Sequence, residues 1–106
     1  MSPGHRYPHY RPVNSEMVLY TGGKDAVSEA VRQAAKDAEA AGKTCGVIDF
    51  EGDVKKAAKE FFKELRRLDS ERVDLIIAAG VSEEGLGEAV MDRMMKAAGG
   101  NVRRVI

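Results

Sequence analysis

The chain is short of several residue types, and each shortage removes a class of protein. Cysteine occurs once in the 106 residues, as Cys45. One thiol cannot build an internal disulfide framework or a cysteine-rich zinc site. Tryptophan is absent, and aromatics make up 6% of the chain. No apolar run approaches the ~20 residues needed to cross a bilayer. The first residues lack the apolar stretch of a secretory signal. There is no excess of either charge, since 17 basic side chains balance 17 acidic ones. Global charge therefore gives no argument for nucleic acid or for a membrane surface. What remains is a chain 43% hydrophobic and 32% charged, of a length suited to one core. A cytoplasmic α/β domain with a reduced thiol is the expectation.

The scarce residues are unevenly placed. All three prolines (Pro3, Pro8, Pro12), both histidines (His5, His9) and two of the three tyrosines (Tyr7, Tyr10) lie in the first dozen positions. Arg6 and Arg11 lie among them, and no acid precedes Glu16. Proline at this spacing forbids a helix and biases each preceding residue toward extended backbone. Residues 1–15 read as an extended, basic, aromatic tail that lies on another surface, and residues 16–106 as the folded domain. Interleaved cations and rings at Arg6, Tyr7, His9, Tyr10 and Arg11 suit phosphate contact and base stacking. A loose terminus is the bland alternative.

In the body, Met17-Val18-Leu19-Tyr20 reads as a buried strand closed by Thr21-Gly22-Gly23. An alanine-rich helix follows over 24–41, with Val27, Ala30, Val31, Ala34 and Ala38 on one face and Gly42 as its stop. Cys45-Gly46-Val47-Ile48 is a second strand. Asp53 is the expected N-cap of a helix over 53–69, whose apolar positions run from Val54 through Phe61 and Leu65 to Leu68. Residues 73–79 form the most apolar strand. A third helix is expected over 83–98, packing through Leu86, Val90, Met94 and Ala97. Residues 102–106 are either a short edge strand or a free end. Strands alternating with helices imply parallel pairing and a three-layer α/β/α fold, its mainly parallel sheet holding three or four strands.

Ligands of open parallel sheets bind beyond the carboxyl ends of the strands. Three loops are expected there: 21–24, 49–53 and 80–87. Gly22, Gly23, Lys24, Gly85 and Gly87 are the candidate ligand residues, because glycines at helix starts present N–H groups to anions. Lys24 shares that rim with Asp49, Glu51, Asp53, Glu83 and Glu84, which would repel a phosphate. Acids in a first helical turn also have a plain capping role. The specific motifs fail. Gly22-Gly23-Lys24 lacks the spaced upstream glycine of a phosphate loop and is followed by Asp25, and Gly85-Leu86-Gly87 meets Val90 where a third glycine belongs. A receiver domain would need acids where Tyr20 and Thr21 stand. Serine chemistry needs a histidine base, and both histidines are in the tail. Cys45 reads as a small core residue. No catalytic residue and no metal site is assigned.

Residues 2–12, SPGHRYPHYRP, resemble the SPGxKYRHYAP linker of two-domain threonylcarbamoyl-AMP synthases, which joins a YrdC-like catalytic domain to a smaller C-terminal domain. Leu65-Arg66-Arg67-Leu68-Asp69 is similar to that family's LRxLD helix. Residues 85–94, GLGEAVMDRM, are similar to its GLGxAVxDRL segment. The departures are Pro8 in place of an arginine, Arg11 in place of a small residue, and a shortened stretch between Phe50 and Ala57. The resemblance implies a Rossmann-like domain that serves, as an accessory or regulatory unit, the synthesis of the threonylcarbamoyl-adenylate used to modify tRNA. It implies a YrdC-like partner, in cis or in trans, which binds ATP with magnesium, threonine and bicarbonate. The partner's catalytic residues have no counterpart here, and tRNA is reached only indirectly. Arg6, Tyr7, His9 and Tyr10 would then contact nucleotide or the catalytic surface. Asp69, Arg66, Asp92 and Arg93 are expected to pair between helices. Two other functions stay open: a stand-alone nucleotide or small-ligand binder at the strand-end loops, and an RNA-binding module using the tail with Arg103 and Arg104.

Overall fold

The structure is a computed structural model that describes residues 11–105. Its elements are β1 (Glu16–Gly22), α1 (Lys24–Ala40), β2 (Cys45–Ile48), α2 (Val54–Ser70), β3 (Leu75–Ala79), α3 (Leu86–Ala97) and β4 (Val102–Val105). The strands form one four-stranded sheet in the order β2-β3-β1-β4. Every pairing is parallel, with Glu16 opposite Leu75, Cys45 opposite Leu75, and Leu19 opposite Val102. The expected α/β class and parallel sheet are therefore present, and residues 102–105 complete the sheet rather than hang free.

Side-chain alternation explains the three layers. Along β1, Met17 and Leu19 join Ile48, Ile76 and Ala78 in a core covered by α2 and α3. Val18, one step out of phase, joins Ile77 and Ala79 under Val27 and Val31 of α1. A period of two thus sends successive residues of the same strand to opposite layers. On α2, Ala57, Phe61, Leu65 and Leu68 are buried, at the three-to-four-residue spacing that makes one helical face. Asp53 caps that helix, its carboxylate accepting the Lys56 N–H at 3.0 Å.

Three expectations need correction. The third helix begins at Leu86, not at residue 83, because Gly85 adopts φ +58° and ψ −129°, which no helix can include. Leu86 does not pack inward: it is 52% exposed, and Gly87, Val90, Met91 and Met94 face the core instead. The expected inter-helix ion pairs also fail. Asp92 pairs within its own helix with Lys96 at 3.0 Å, and among the described residues no ion pair of Arg66 or Arg93 bridges α2 and α3.

Candidate functional site: an anchored tail and a strand-end cleft

The connection β1–α1–β2 runs across the sheet in one direction, whereas β2–α2–β3 and β3–α3–β4 run in the other. That reversal puts α1 on the opposite face and opens a crevice between the carboxyl ends of β1 and β3, the usual ligand position in such sheets. A cleft of about 230 Å³ occupies it, lined by Gly22, Lys24, Ser28, Asp49, Gly52 and Ser82 among others. Gly22 has φ +136°, and a side chain there would run into the Val105 carbonyl of β4, so glycine is required by packing at this point. Gly23 is the N-cap of α1 in ordinary extended backbone and provides no side-chain cap.

Of the five carboxylates expected around Lys24, Asp49 alone lines the cleft with it. Asp49 stays at the cleft, where its carboxylate accepts the Glu51 N–H at 2.8 Å and the Ser28 hydroxyl at 3.3 Å. Asp53 is committed to capping α2. Glu83 lies instead with Gly85, Glu88 and Asp92 on a wider, open hollow of about 570 Å³ along α3. This hollow is larger than the switch-point cleft, but its acids make it a poor anion site. Gly87 lines neither cavity. It is buried, and the Ser82 backbone presses against its Cα so closely that an added Cβ would sit 2.8 Å from the carbonyl carbon. Its role is the close approach of loop 80–85 to α3. Among the described residues no three His, Cys, Asp or Glu side chains converge as a metal site.

Arg6, Tyr7, His9 and Tyr10 lie outside the described residues. The residues that follow them are firmly placed. Asp69, at the end of α2, is 2% exposed. Its Oδ2 accepts the Val13 N–H at 3.0 Å, and its Oδ1 accepts the Asn14 and Ser15 N–H groups at 2.8 and 3.1 Å. The Asn14 side-chain amide donates to the Asp69 carbonyl at 3.1 Å. Arg11 lies against Gly99 just past α3, its guanidinium carbon 2.9 Å from where a Cβ would stand. Residues 11–15 are thus tied to the ends of α2 and α3. Sequence reasoning missed this anchor. The available signal was an acid at a helix C-terminus, where the helix dipole disfavours negative charge and compensating donors are needed.

Burial first, and Glu39 second, push the Cys45 thiol above its ordinary value. A hydrogen bond from Arg67 holds the Glu64 carboxyl below its ordinary value. Arg103 and Arg104 are exposed on the edge strand. Among the described residues no helix is long and apolar enough to cross a membrane.

An all-parallel sheet with one reversal, helices on both faces and a crevice at the switch point defines a Rossmann-like α/β domain. Comparison with known proteins narrows this. Residues 1–99 match the family model for the C-terminal domain of threonylcarbamoyl-AMP synthase, and the chain belongs to that family. The threonylcarbamoyl-AMP synthase of Pyrococcus abyssi is 36% identical over 98% of this chain, and that of Bacillus subtilis 28% identical over 98%. The chain spans about a third (34%) of the length of both. The crystal structure of Pyrococcus abyssi Sua5 with L-threonine superposes with a TM-score of 0.87 at 34% identity, covering 99% of this chain and 34% of that one. The isolated C-terminal Sua5 domain of Pyrococcus horikoshii gives 0.71 at 34% identity, covering 87% of this chain and 98% of that one.

Proposed function

We propose that this chain is the accessory domain of a threonylcarbamoyl-AMP synthase, whose leading tail closes over the nucleotide site of a YrdC-like catalytic domain. The observation that carries the reading is that the family match takes in tail and body together, while hydrogen bonds from residues 13–15 to Asp69 tie the two into one piece. The catalytic domain, in cis or in trans, would bind Mg²⁺-ATP, threonine and bicarbonate and make the adenylate that supplies tRNA threonylcarbamoyladenosine in the cytoplasm. In this reading Arg6, Tyr7, His9 and Tyr10 reach the nucleotide or the surface around it. Cations suit a polyphosphate and rings suit a base. A closed tail also keeps water from a labile acyl-adenylate.

The test is titration of the chain into a YrdC-like catalytic domain supplied with ATP, magnesium, threonine and bicarbonate, reading pyrophosphate release. Saturable stimulation is expected. No binding together with no change in rate overturns the proposal. The switch-point cleft supports a second reading, in which the domain alone binds a small ligand. Amide shifts on adding Mg²⁺-ATP separate the two: changes confined to residues 21–24 and 80–87 favour the cleft, and changes confined to residues 5–12 favour the tail.

A further inference from the structure

We propose that the outward face of α2 is a docking strip for the phosphate backbone of a double-helical nucleic acid, bound without regard to base sequence. The inference goes beyond the accessory-domain reading and does not depend on it. At 3.6 residues per turn, Lys55, Arg66, Lys59, Lys63 and Lys56 follow one another around about 100° of the helix circumference. All five are exposed. Ala57, Phe61, Leu65 and Leu68 take the opposite side and are buried. Glu60 and Glu64 fall beyond the basic arc, on its flank next to Lys56. From Lys55 to Arg66 the strip is about 17 Å long at 1.5 Å per residue.

A face that served solvation alone has no need of this arrangement. Lys55 and Lys59, and Lys59 and Lys63, are like charges four residues apart. Lys56 and Lys59, and Lys63 and Arg66, repeat the repulsion at three. Such pairs destabilise a helix, whereas opposite charges at the same spacing stabilise it. The other two helices follow the stabilising rule: Glu29 pairs with Arg32 in α1 at 2.7 Å, and Asp92 with Lys96 in α3 at 3.0 Å. On α2 itself Arg67 pairs with Glu64 and Glu71 at the margin of the strip. Among the described residues none of the five strip cations forms an ion pair. A chain with no net charge thus gathers five unneutralised cations in one row.

The make-up of the strip selects the partner. Rows of lysine and arginine bind nucleic acids by neutralising phosphates and releasing their condensed counterions. Lysine is depleted from protein–protein interfaces, and the arc holds no apolar or aromatic side chain to anchor one. The apolar residues of α2 are turned into the core, so nothing remains to enter a bilayer as an interfacial helix must. The lack of aromatics in the arc also removes base stacking, the usual grip on single strands, and leaves the backbone of a duplex. Beside α2, α3 presents exposed Glu88 and Asp92, so the polyanion lies along α2 rather than across both helices.

The experiment titrates the whole chain against fluorescently labelled duplexes of about 20 base pairs, one of RNA and one of DNA, reading anisotropy at several salt concentrations. A labelled oligo-U strand and phosphatidylserine vesicles are the comparison arms. Five phosphate contacts correspond to a dissociation constant on the order of 10–100 µM in about 0.1 M salt, and each contributes about −0.9 to the log–log salt slope on DNA. Lys59→Gln combined with Lys63→Gln keeps helix propensity. It should weaken duplex binding on the order of tenfold or more in about 0.1 M salt and make the slope shallower by about 2. Lys59→Glu should weaken binding while the urea midpoint stays level or rises, because it replaces repulsion by attraction along the helix. Arg103→Gln combined with Arg104→Gln, and Lys36→Gln on α1, should leave the slope unchanged. The RNA and DNA arms show which duplex is preferred, and binding of either with these variant effects supports the proposal. No binding of either duplex by the unaltered chain overturns it. Duplex binding that survives both α2 changes overturns it too, since the contact then lies elsewhere, and so does tighter binding to oligo-U or to the vesicles than to the duplexes. The accessory-domain reading stands or falls separately, on pyrophosphate release.

Discussion

Gly87→Ala separates a packing glycine from a ligand-binding one. Gly87 sits in the first turn of α3 with ordinary helical neighbours, so propensity alone predicts that alanine should stabilise by about 1 kcal/mol. The structure predicts the opposite. The added methyl would lie 2.8 Å from the Ser82 carbonyl carbon, with the carbonyl oxygen nearer still, whereas relaxed carbon contacts are ~3.5–4.0 Å. Either α3 or loop 80–85 must move on the order of 1 Å. Moving α3 disturbs Val90, Met91 and Met94, all at most 2% exposed. Overpacking of this kind costs about 1–3 kcal/mol, and the rigid backbone on the other side puts the expectation at the upper end, a net loss of about 2 kcal/mol. Urea unfolding followed by far-ultraviolet circular dichroism measures it as a lower midpoint at constant slope. Gly23→Ser is the matched control. Gly23 has φ −63°, nothing within 4 Å of an added Cβ, and no side-chain cap to displace, so serine should be neutral or raise stability by up to ~1 kcal/mol. A Gly87→Ala variant as stable as the parent would refute the close-approach argument.

Two further outcomes are expected. Leu65→Ala empties a site that is fully buried between the sheet and α3 and should cost about 2–5 kcal/mol in the same unfolding assay; a change under about 1 kcal/mol would contradict the packing described. The Cys45 thiol, raised first by burial and then by Glu39, should react with iodoacetamide at pH 8 more slowly than the urea-unfolded chain. Because the folded value lies above the unfolded one, the associated stability is fully present below the unfolded thiol's value, about 8.5, and is lost as pH rises through the folded value. Equal alkylation rates in the folded and unfolded chains would count against it.

The order of elements was readable because each strand is an apolar run and each helix repeats at three and four. Residues such as Val27, Leu65 and Ile76 have one plausible orientation once the period is known. Leu86 shows the limit. Its hydrophobicity fits the period, but the turn at Gly85 rotates the helix start so that a glycine points inward and a leucine outward. Gly46 shows another. The sequence places it only as one residue of the second strand, whereas Leu68 of α2 fills the space where a side chain would stand, a contact set by tertiary placement. The candidate loops were locatable because strand ends are, and 21–24, 49–53 and 80–82 do meet at one cleft. The grouping of charges was not legible, since capping, turn formation and α3's direction dispersed acids that sequence places near one another. Asp69 read as an ion-pair partner between helices, whereas its carboxylate accepts the backbone N–H groups of residues 13–15, a partnership that no local pattern announces.

The strand order has a consequence for how the molecule assembles. The first strand made is central, yet the second does not touch it: β3 lies between them, and β4 closes the far side. A nascent polypeptide emerging from the ribosome can therefore form no lasting sheet contact until residue 75 or beyond has cleared the exit tunnel. Contacts between such distant segments form slowly. Until then both β1 and β2 offer bare edges to other chains, which is when this domain is most exposed to aggregation.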